Sequence, residues 1–240
     1  MTVSRFTLAD ERLQALSDRY ALLPEQRERI SAVVHELADD AHAPTAVRDP
    51  AEAVELHVAD SLTALELPQV RAASRLADIG SGAGFPGLPL AIALPRCRVF
   101  LIESQGRRCA FLARIRRAAA AENVTVVCAR VEEWSDGLGA CDVIAARALA
   151  PQPIVLEYAA PLLADGGALV DWRGALDAAA SAASATAAQE LGLELAEVRR
   201  MEPFAGAKQH HLYLYLKVRA TPERFPRRVG AARKHPLGGG

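Results

Sequence analysis

Residues 78 to 87 of this 240-residue chain read Asp78-Ile79-Gly80-Ser81-Gly82-Ala83-Gly84-Phe85-Pro86-Gly87. The apolar run Leu76–Ile79 leads into this glycine-rich stretch and a helical pattern near 86–94 follows, which predicts a turn from a buried strand into a helix. Glycines let the backbone turn tightly and let a ligand approach main-chain atoms without an intervening Cβ. The stretch therefore predicts a ligand-binding loop at the carboxyl end of the first strand.

Beyond this loop, short apolar runs alternate with helical patterns. The predicted strands are Leu76–Ile79, Arg98–Ile102, Val124–Cys128, Asp142–Ala146 and Ala168–Asp171. Helices are predicted near 86–94, 105–121, 152–164 and 175–191. Strands that are apolar throughout and separated by helices predict a parallel sheet covered on both faces, and right-handed crossovers make it a doubly wound α/β sheet.

The last two predicted strands, Leu195–Met201 and His210–Val218, break this alternation because only eight residues join them. Parallel neighbours need a crossover of about a dozen residues or more, so this pair is predicted to be antiparallel. A mostly parallel seven-stranded sheet that ends in an antiparallel pair is the Rossmann-like plan of class I methyltransferases, rather than the plan of dinucleotide-binding domains.

Three helices are predicted before the first strand, at residues 8–20, 25–40 and 51–66, and no strand pattern precedes residue 75. We therefore expect the chain to have three parts. These are an N-terminal helical subdomain over residues 1–73, a methyltransferase domain over residues 74–219 and a basic C-terminal tail over residues 220–240.

The net charge of −1 hides an uneven distribution of charged residues. Residues 1–60 hold 12 acidic against 6 basic residues, and the basic excess lies in one helix and in the tail. The helix carries Arg107, Arg108, Arg114, Arg116 and Arg117, and the tail region carries Arg219, Arg224, Arg227, Arg228, Arg233 and Lys234. A basic half on a near-neutral chain predicts a polyanionic partner, with ordinary solvated charge as the alternative.

The four cysteines, Cys97, Cys109, Cys128 and Cys141, are spaced neither as paired zinc ligands nor as a disulfide-rich scaffold. We expect reduced, mostly buried thiols and hence a cytoplasmic protein. The sequence has no apolar stretch of membrane-spanning length and no basic-then-apolar start, which agrees with that expectation.

The glycines alone do not identify the ligand, because Gly82-x-Gly84-x-x-Gly87 also matches a dinucleotide-binding pattern. Asp78 favours a cationic cofactor such as S-adenosylmethionine, since an unpaired carboxylate at the end of a buried strand is costly. Glu103 ends the next strand, where an acid either accepts hydrogen bonds from the ribose hydroxyls of a nucleoside or caps the following helix. We therefore expect S-adenosylmethionine as the cofactor, and no metal.

Six motifs occur together in this chain. They are His57–Leu62, Leu76–Ala91, Ala129–Glu133, Ala146–Ala148, Arg224–Gly230 and Lys234–Leu237. Over roughly residues 10 to 237 the chain closely resembles the RsmG (also called GidB) family of 16S ribosomal RNA guanine-N7 methyltransferases. The resemblance implies S-adenosylmethionine as methyl donor, S-adenosylhomocysteine as product, and 16S ribosomal RNA within the 30S subunit as the partner of a monomeric enzyme.

The resemblance also implies roles for individual residues. To Asp78, Gly82 and Glu103 it adds Gly80, Phe85, Val131, Glu132 and Arg147 as cofactor-binding residues. Its basic active-site residues are Arg147, Arg130 and Arg173, and the expected RNA contacts in the tail are Arg224, Arg227, Arg228 and Lys234. The family commonly has Lys at the position of Arg173 and Arg at the position of His210, and only the first departure keeps the positive charge.

Methylation of guanine N7 needs no general base, because N7 carries a lone pair and no proton, so catalysis rests on alignment. The sequence agrees, since it lacks the Asn/Asp-Pro-Pro-aromatic motif of amine methyltransferases and a cysteine that follows a proline. Arg147 is expected to donate to guanine O6, unless it forms only a structural salt bridge. His57 and Asp60 are expected to form either a mutual hydrogen bond or part of the cleft wall.

Three other functions stay open on the residues alone. A small-molecule methyltransferase would share the glycine loop and Glu103 but has no need of the basic tail. A nicotinamide dehydrogenase would share the glycines but not need Asp78, and a pure RNA-binding module would leave the loop unexplained. Under the RNA methyltransferase hypothesis, deletion of the tail from Thr221 is expected to weaken RNA binding and leave cofactor affinity nearly intact.

Overall fold

The structure, a computed structural model, describes residues 6–174 and 178–238, and within them the chain folds around one seven-stranded sheet of order β3-β2-β1-β4-β5-β7-β6. The strands are β1 (Arg75–Ile79), β2 (Arg98–Glu103), β3 (Val124–Cys128), β4 (Cys141–Arg147), β5 (Leu163–Arg173), β6 (Leu193–Met201) and β7 (His210–Lys217). Strands β1 to β5 are parallel, while β7 is antiparallel to both β5 and β6. The Rossmann-like methyltransferase plan and its terminal antiparallel pair are confirmed.

Helices cover both faces of the sheet. They are α1 (Thr7–Tyr20), α2 (Pro24–Asp39), α3 (Pro50–Ala53), α4 (Asp60–Leu62), α5 (Pro68–Arg71), α6 (Gly87–Ala93), α7 (Gly106–Ala118), α8 (Gln152–Ala159), α9 (Ala178–Leu191) and α10 (Ala231–Lys234). The start of the helix predicted over 175–191 lies partly outside the described residues. Among the described helices, none has both the length and the apolar character that crossing a membrane requires.

The helix predicted over residues 51–66 is irregular in the structure. A π-helical turn at Val54–Ala59 joins α3 to α4, and a 3₁₀ turn at Thr63–Glu66 follows. Asp49 starts this segment, because its side chain accepts a hydrogen bond from the Glu52 amide at 2.9 Å. Single π-helical turns are rare and often occur at functional sites, because the extra residue per turn changes where side chains point.

The N-terminal helices pack on one face of the sheet and share a core with it. Leu13 of α1 and Ile30 of α2 are buried in one cluster with Leu76 of β1 and Leu90 of α6. Because side chains alternate along a strand, the next residue, Ala77, belongs to the core on the other face, which α8 and α9 cover. The predicted domain boundary at residue 73 stays a prediction.

Asp78 fixes the glycine loop that follows β1. Its Oδ2 atom accepts a hydrogen bond from the Gly87 amide at 3.0 Å, which ties the end of the strand to the start of α6. A Cβ at Gly87 would overlap Leu101 and Asp78, so only glycine fits there. Gly80 and Gly82 have φ values of +75° and +55°, a region that side chains disfavour.

The structure corrects the expectation that all four cysteines are reduced. Cys109 in the first turn of α7 and Cys128 at the end of β3 form a disulfide, with their Cα atoms 5.7 Å apart. They meet because the β2–α7–β3 crossover brings the start of its helix back over the end of the next strand. Cys97 and Cys141 are free and buried, as expected.

Candidate active site

A cavity of about 450 Å³ lies at the carboxyl ends of the central strands, and we call it the loop cavity because the glycine loop forms part of it. Of the predicted cofactor-binding residues, Gly80, Glu103, Val131 and Glu132 line it. The exposed Arg130 lines it as well. The structure therefore brings together residues that are up to 52 positions apart in the sequence.

Glu103 lies at the floor of the loop cavity with 5% of its surface exposed. Its Oε2 atom accepts a hydrogen bond from the Gly82 amide at 3.2 Å, and its Oε1 atom accepts one from the Gln105 amide at 2.9 Å. Arg108 lies 3.6 Å away and balances its charge. Glu103 thus fixes the loop and the entry to α7, and each carboxylate oxygen keeps a second lone pair for hydroxyls in the cavity.

Gly80 packs closely against Leu149, and both residues line the loop cavity. A Cβ at this position would overlap the side chain of Leu149. A glycine loop, a carboxylate at the end of β2 and the segment that contains Val131 and Glu132 form a set of groups suited to a nucleoside cofactor. The residues present fit S-adenosylmethionine.

Asp78 does not line the loop cavity. It is 1% exposed, and burial raises its pKa to about 7, against the hydrogen bond from Gly87 and the charge of Arg147, which lower it. Its Oδ1 atom has no hydrogen-bond partner among the described residues. The structure places Asp78 beneath the loop as a support, whereas the sequence predicted it as a direct contact to the cofactor.

Arg147 stands at the end of β4 in a hydrogen-bonded network. Its Nη1 atom donates to Asp60 Oδ2 at 3.0 Å and to the Leu56 carbonyl at 3.1 Å, and its Nη2 atom lies 3.3 Å from His57 Nδ1. The other oxygen of Asp60 lies 3.0 Å from His210 Nδ1. The salt bridge that was the alternative prediction for Arg147 is present. Asp60 also connects Arg147 to His210.

His57 is a neutral member of this network. Burial lowers its pKa to about 4, and the charge of Arg147 lowers it further. Since its Nδ1 atom faces the Arg147 donor, we assign the ring proton to Nε2, which lies 2.9 Å from Thr45 Oγ1. The ring nitrogens of His57 thus contact Thr45 and Arg147, so the mutual hydrogen bond predicted as one alternative for His57 and Asp60 is wrong.

Phe85 connects the glycine loop to this network rather than lining the loop cavity. Its ring stacks on His57 with a centroid separation of 4.9 Å, and the guanidinium carbon of Arg147 lies 5.7 Å from its centroid. The contact with Arg147 is a cation–π interaction. Phe85 therefore contacts both His57 and Arg147 of this network.

A second cavity, of about 490 Å³, lies beside the first, and we call it the arginine cavity. Asp60, Arg147, Arg173 and His210 line it, and Ala148 lines both cavities. Since Ala148 follows β4 directly, the two cavities meet at the carboxyl end of that strand. Ligands of open α/β sheets bind at this edge.

Arg173 is held rigidly at the wall of the arginine cavity. Its Nε atom donates to Asp171 at 2.6 Å and its Nη1 atom donates to the Ala150 carbonyl at 2.8 Å. Burial raises the pKa of Asp171 to about 6, and the charge of Arg173 opposes that shift. The Nη2 atom of Arg173 is buried and has no hydrogen-bond partner among the described residues.

The predicted RNA contacts of the tail divide into two groups. Arg227 forms a bidentate pair with Glu157 of α8, which is only 3% exposed, and Arg224 donates to Glu190 at 2.7 Å. Arg228 and Lys234 are exposed. Arg227 thus holds the tail on the protein, whereas the pair of Arg224 lies at the surface with 60% of that arginine's side chain exposed. Arg228 and Lys234 remain available at the surface.

The sequence did not predict several of the residues that lie at these cavities. Trp172 donates from Nε1 to the Asp60 carbonyl at 3.0 Å, and Tyr158 and Leu149 line the loop cavity. Arg233 lines it too, although the sequence indicated only that it belongs to a basic run. Each depends on a contact between distant segments, and a single sequence gives no pattern for such contacts.

The chain is similar to known proteins over most of its length. The model of the family GidB, described as rRNA small subunit methyltransferase G, matches residues 28–212. A ribosomal RNA small subunit methyltransferase G from Rubrobacter xylanophilus is 39% identical over 199 residues, which are 80% of this chain and 76% of the relative. A protein of the same name from Synechococcus elongatus is 36% identical over 222 residues, 90% of this chain and 91% of the relative.

A solved structure shares the fold at much lower identity. Aeropyrum pernix fibrillarin, in complex with natively bound S-adenosyl-L-methionine, superimposes with a TM-score of 0.51 at 18% identity. The match covers 66% of this chain and 72% of fibrillarin. At this identity the likeness shows the fold alone.

Proposed function

This chain belongs to the family of rRNA small subunit methyltransferase G, and on that premise we propose that it transfers a methyl group from S-adenosylmethionine to N7 of a guanosine in 16S ribosomal RNA. The observation that carries the proposal is the junction of the two cavities at Ala148. One cavity has the groups for a nucleoside cofactor, and the other has fixed arginines for an anionic, hydrogen-bonding target.

The loop cavity would hold the cofactor. Glu103 would accept hydrogen bonds from the ribose hydroxyls, and Val131 and Glu132 would take the adenine end. Gly80 and Gly82 give the methionine part access to the main chain of the loop. When bound, S-adenosylmethionine supplies an electrophilic methyl group on a sulfonium.

The arginine cavity would hold the target guanine. Arg147 has five N–H groups, and its contacts to Asp60, Leu56 and His57 occupy three of them. The remaining donors suit guanine O6 or a phosphate. These contacts orient the base and leave N7 unobstructed.

No residue of the network is needed as a general base. Guanine N7 carries no proton, and His57 has a pKa of about 4 and donates its only ring proton toward Thr45, so it serves to support Arg147. The chain therefore accelerates methyl transfer by aligning guanine N7 with the methyl group.

The decisive experiment uses the purified chain, S-adenosylmethionine and 16S ribosomal RNA from cells that lack this protein. We expect one N7-methylguanosine per RNA, located by borohydride reduction, aniline cleavage and primer extension. Naked 16S RNA and intact 30S subunits are assayed in parallel, and we propose the 30S subunit as the better substrate. Methylation of another atom, or of a small metabolite instead of RNA, would contradict the proposal.

We also propose that the enzyme acts as a monomer in the cytoplasm, because its proposed substrate is ribosomal RNA; the Cys109–Cys128 disulfide is then an exception to the reduced thiols that are usual there. Exposed Arg228 and Lys234 would then contact RNA phosphates, so affinity for RNA should fall steeply with salt. Light scattering at the protein concentration of the assay measures the oligomeric state. A dimer under those conditions would contradict the proposed monomer.

A further inference from the structure

The C-terminal tail is packed onto the body of the protein by apolar contacts and a charged pair. Phe225 is 7% exposed and Ala232 is 2% exposed, and both belong to the core that α8 and α9 cover. Thr221 Oγ1 lies 3.1 Å from the carbonyl oxygens of both Ala160 and Leu191, and its one proton is available to either of them. With the Arg227–Glu157 pair, these contacts fix where α10 lies.

The tail contacts two of the residues that line the loop cavity. The Gly230 amide donates to Glu132 Oε1 at 3.0 Å. Arg233 Nη2 lies 3.4 Å from the Leu149 carbonyl, and Arg233 itself lines the cavity. Burial raises the pKa of Tyr158, and the neighbouring Arg233 opposes that rise, which agrees with the closeness of the two side chains.

The chemistry at this end of the cavity suits a purine ring. Gly230 occupies one oxygen of the Glu132 carboxylate, so the other oxygen is left to accept from an exocyclic amine. The guanidinium of Arg233 is planar and either stacks on an aromatic face or donates to ring nitrogens. Val131 and Glu132 line the same cavity as Arg233.

We propose that the tail is part of the cofactor site, in which Arg233 contacts the adenine ring of S-adenosylmethionine and the Gly230–Glu132 hydrogen bond holds Glu132 in place for it. The proposal rests on the proposed function for the identity of the cofactor. It assigns different roles to two residues of the tail, because Arg233 contacts the cofactor and Arg228 contacts RNA. The tail then borders the cofactor site and contacts RNA at the same time.

The test is calorimetric titration of Arg233→Ala, Arg233→Lys and the wild type with S-adenosylmethionine and with 5′-methylthioadenosine, which lacks the amino-acid part. We expect Arg233→Ala to lower the affinity for both ligands about tenfold. Arg233→Lys should lower it less, because lysine keeps the positive charge but lacks the planar guanidinium. Arg228→Ala is the matched control and should bind both ligands within twofold of the wild type. Circular dichroism melting verifies that each variant is folded.

Two results would overturn this assignment. Cofactor affinity within twofold of the wild type in folded Arg233→Ala means that Arg233 makes no useful contact. A loss of affinity for S-adenosylmethionine but not for 5′-methylthioadenosine means that Arg233 contacts the amino-acid part instead of adenine. Either result leaves the proposed function intact, whereas a wild type that binds the cofactor but methylates no guanine N7 contradicts the proposed function alone.

Discussion

The carboxylate of Asp60 lies 3.0 Å from the guanidinium of Arg147 and forms an ion pair at the edge of the arginine cavity. Asp60 is 6% exposed, so this pair is shielded from solvent on its carboxylate side and is stronger than a surface pair. The second oxygen of Asp60 meets His210, and its backbone carbonyl accepts from Trp172. Asp60 thus fixes the direction in which Arg147 presents its remaining donors.

Asp60→Asn should therefore impair methyl transfer without affecting the cofactor. The amide keeps the shape of Asp60 but removes the charge, so Arg147 is held less well and part of its alignment is lost. We expect kcat/KM on 30S subunits to fall by about 10- to 100-fold, with the cofactor Kd within twofold of the wild type. Rates come from transfer of a tritiated methyl group and affinities from calorimetry.

The matched control for this substitution is Glu197→Gln. Glu197 pairs with Arg199 on the exposed strand β6, so losing this pair should leave kcat/KM within twofold of the wild type. If Asp60→Asn has normal kcat/KM, Asp60 does not position Arg147 for catalysis.

Asp78→Asn should change how stability depends on pH. In the folded chain burial raises the pKa of Asp78 to about 7, above its ordinary value of 3.8. Between about pH 4 and pH 7 the folded chain therefore keeps Asp78 protonated, whereas the unfolded chain does not. As the pH rises through this window, the free energy of unfolding falls by up to about 4 kcal/mol. Removing the titrating group should flatten the curve there.

Urea unfolding at half-unit pH intervals measures this difference. Between pH 4 and pH 7 the free energy of unfolding of the wild type should decline relative to that of Asp78→Asn. Asp136→Asn, which replaces an exposed carboxylate, should follow the wild-type curve. Parallel curves for wild type and Asp78→Asn would mean that Asp78 is ionised throughout the range.

The architecture could be predicted from local features of the sequence. The eight residues between the last two strands exclude a helical crossover, so antiparallel pairing of β6 and β7 followed from length alone. By contrast, apolar spacing does not distinguish an α-helix from the π-helical turn at Val54–Ala59. That turn carries Leu56 and His57 to Arg147, so the network of the arginine cavity was beyond prediction.

Pairs between distant segments limited the prediction of the site. Arg227 appears in the sequence as one of several tail arginines, and nothing local links it to Glu157, 70 positions earlier. Likewise, the spacing of Cys109 and Cys128 does not indicate that a crossover brings them together. Residue type predicted which groups have useful chemistry, and tertiary contacts determined which of them have structural roles.

Reducing the disulfide should destabilise the chain without abolishing its fold. The Cys109–Cys128 bond closes a loop over 19 positions, and losing that constraint on the unfolded chain costs about 3 kcal/mol. Dithiothreitol should lower the free energy of unfolding by this amount in the wild type. Thiol titration of unreduced, denatured protein should find two free thiols, Cys97 and Cys141.

Cys109→Ser provides the control, because it cannot form the bond. Its stability should equal that of the reduced wild type and should not respond to dithiothreitol. If the denatured wild type shows four free thiols before reduction, the disulfide is absent from the protein in solution.

Replacement of Arg227 should destabilise the protein, whereas replacement of Arg228 should not. Arg227→Ala leaves the carboxylate of Glu157, only 3% exposed, without its bidentate partner, and we expect a loss of about 2 kcal/mol in the free energy of unfolding. Arg228→Ala should unfold like the wild type but bind 16S RNA with a weaker salt dependence. Urea unfolding and filter binding at several salt concentrations separate the two effects.

The same reasoning reverses the expectation for deletion of the tail from Thr221. The segment carries Arg227, which anchors it, and Gly230 and Arg233, which reach the loop cavity, so its removal should weaken cofactor binding as well as RNA binding. A truncated chain that is folded and keeps the wild-type cofactor Kd would show that the tail serves RNA alone. The Arg227→Ala variant tests whether the position of the tail is the cause. Its loosened tail should lower the affinity for the cofactor even though Arg233 is present.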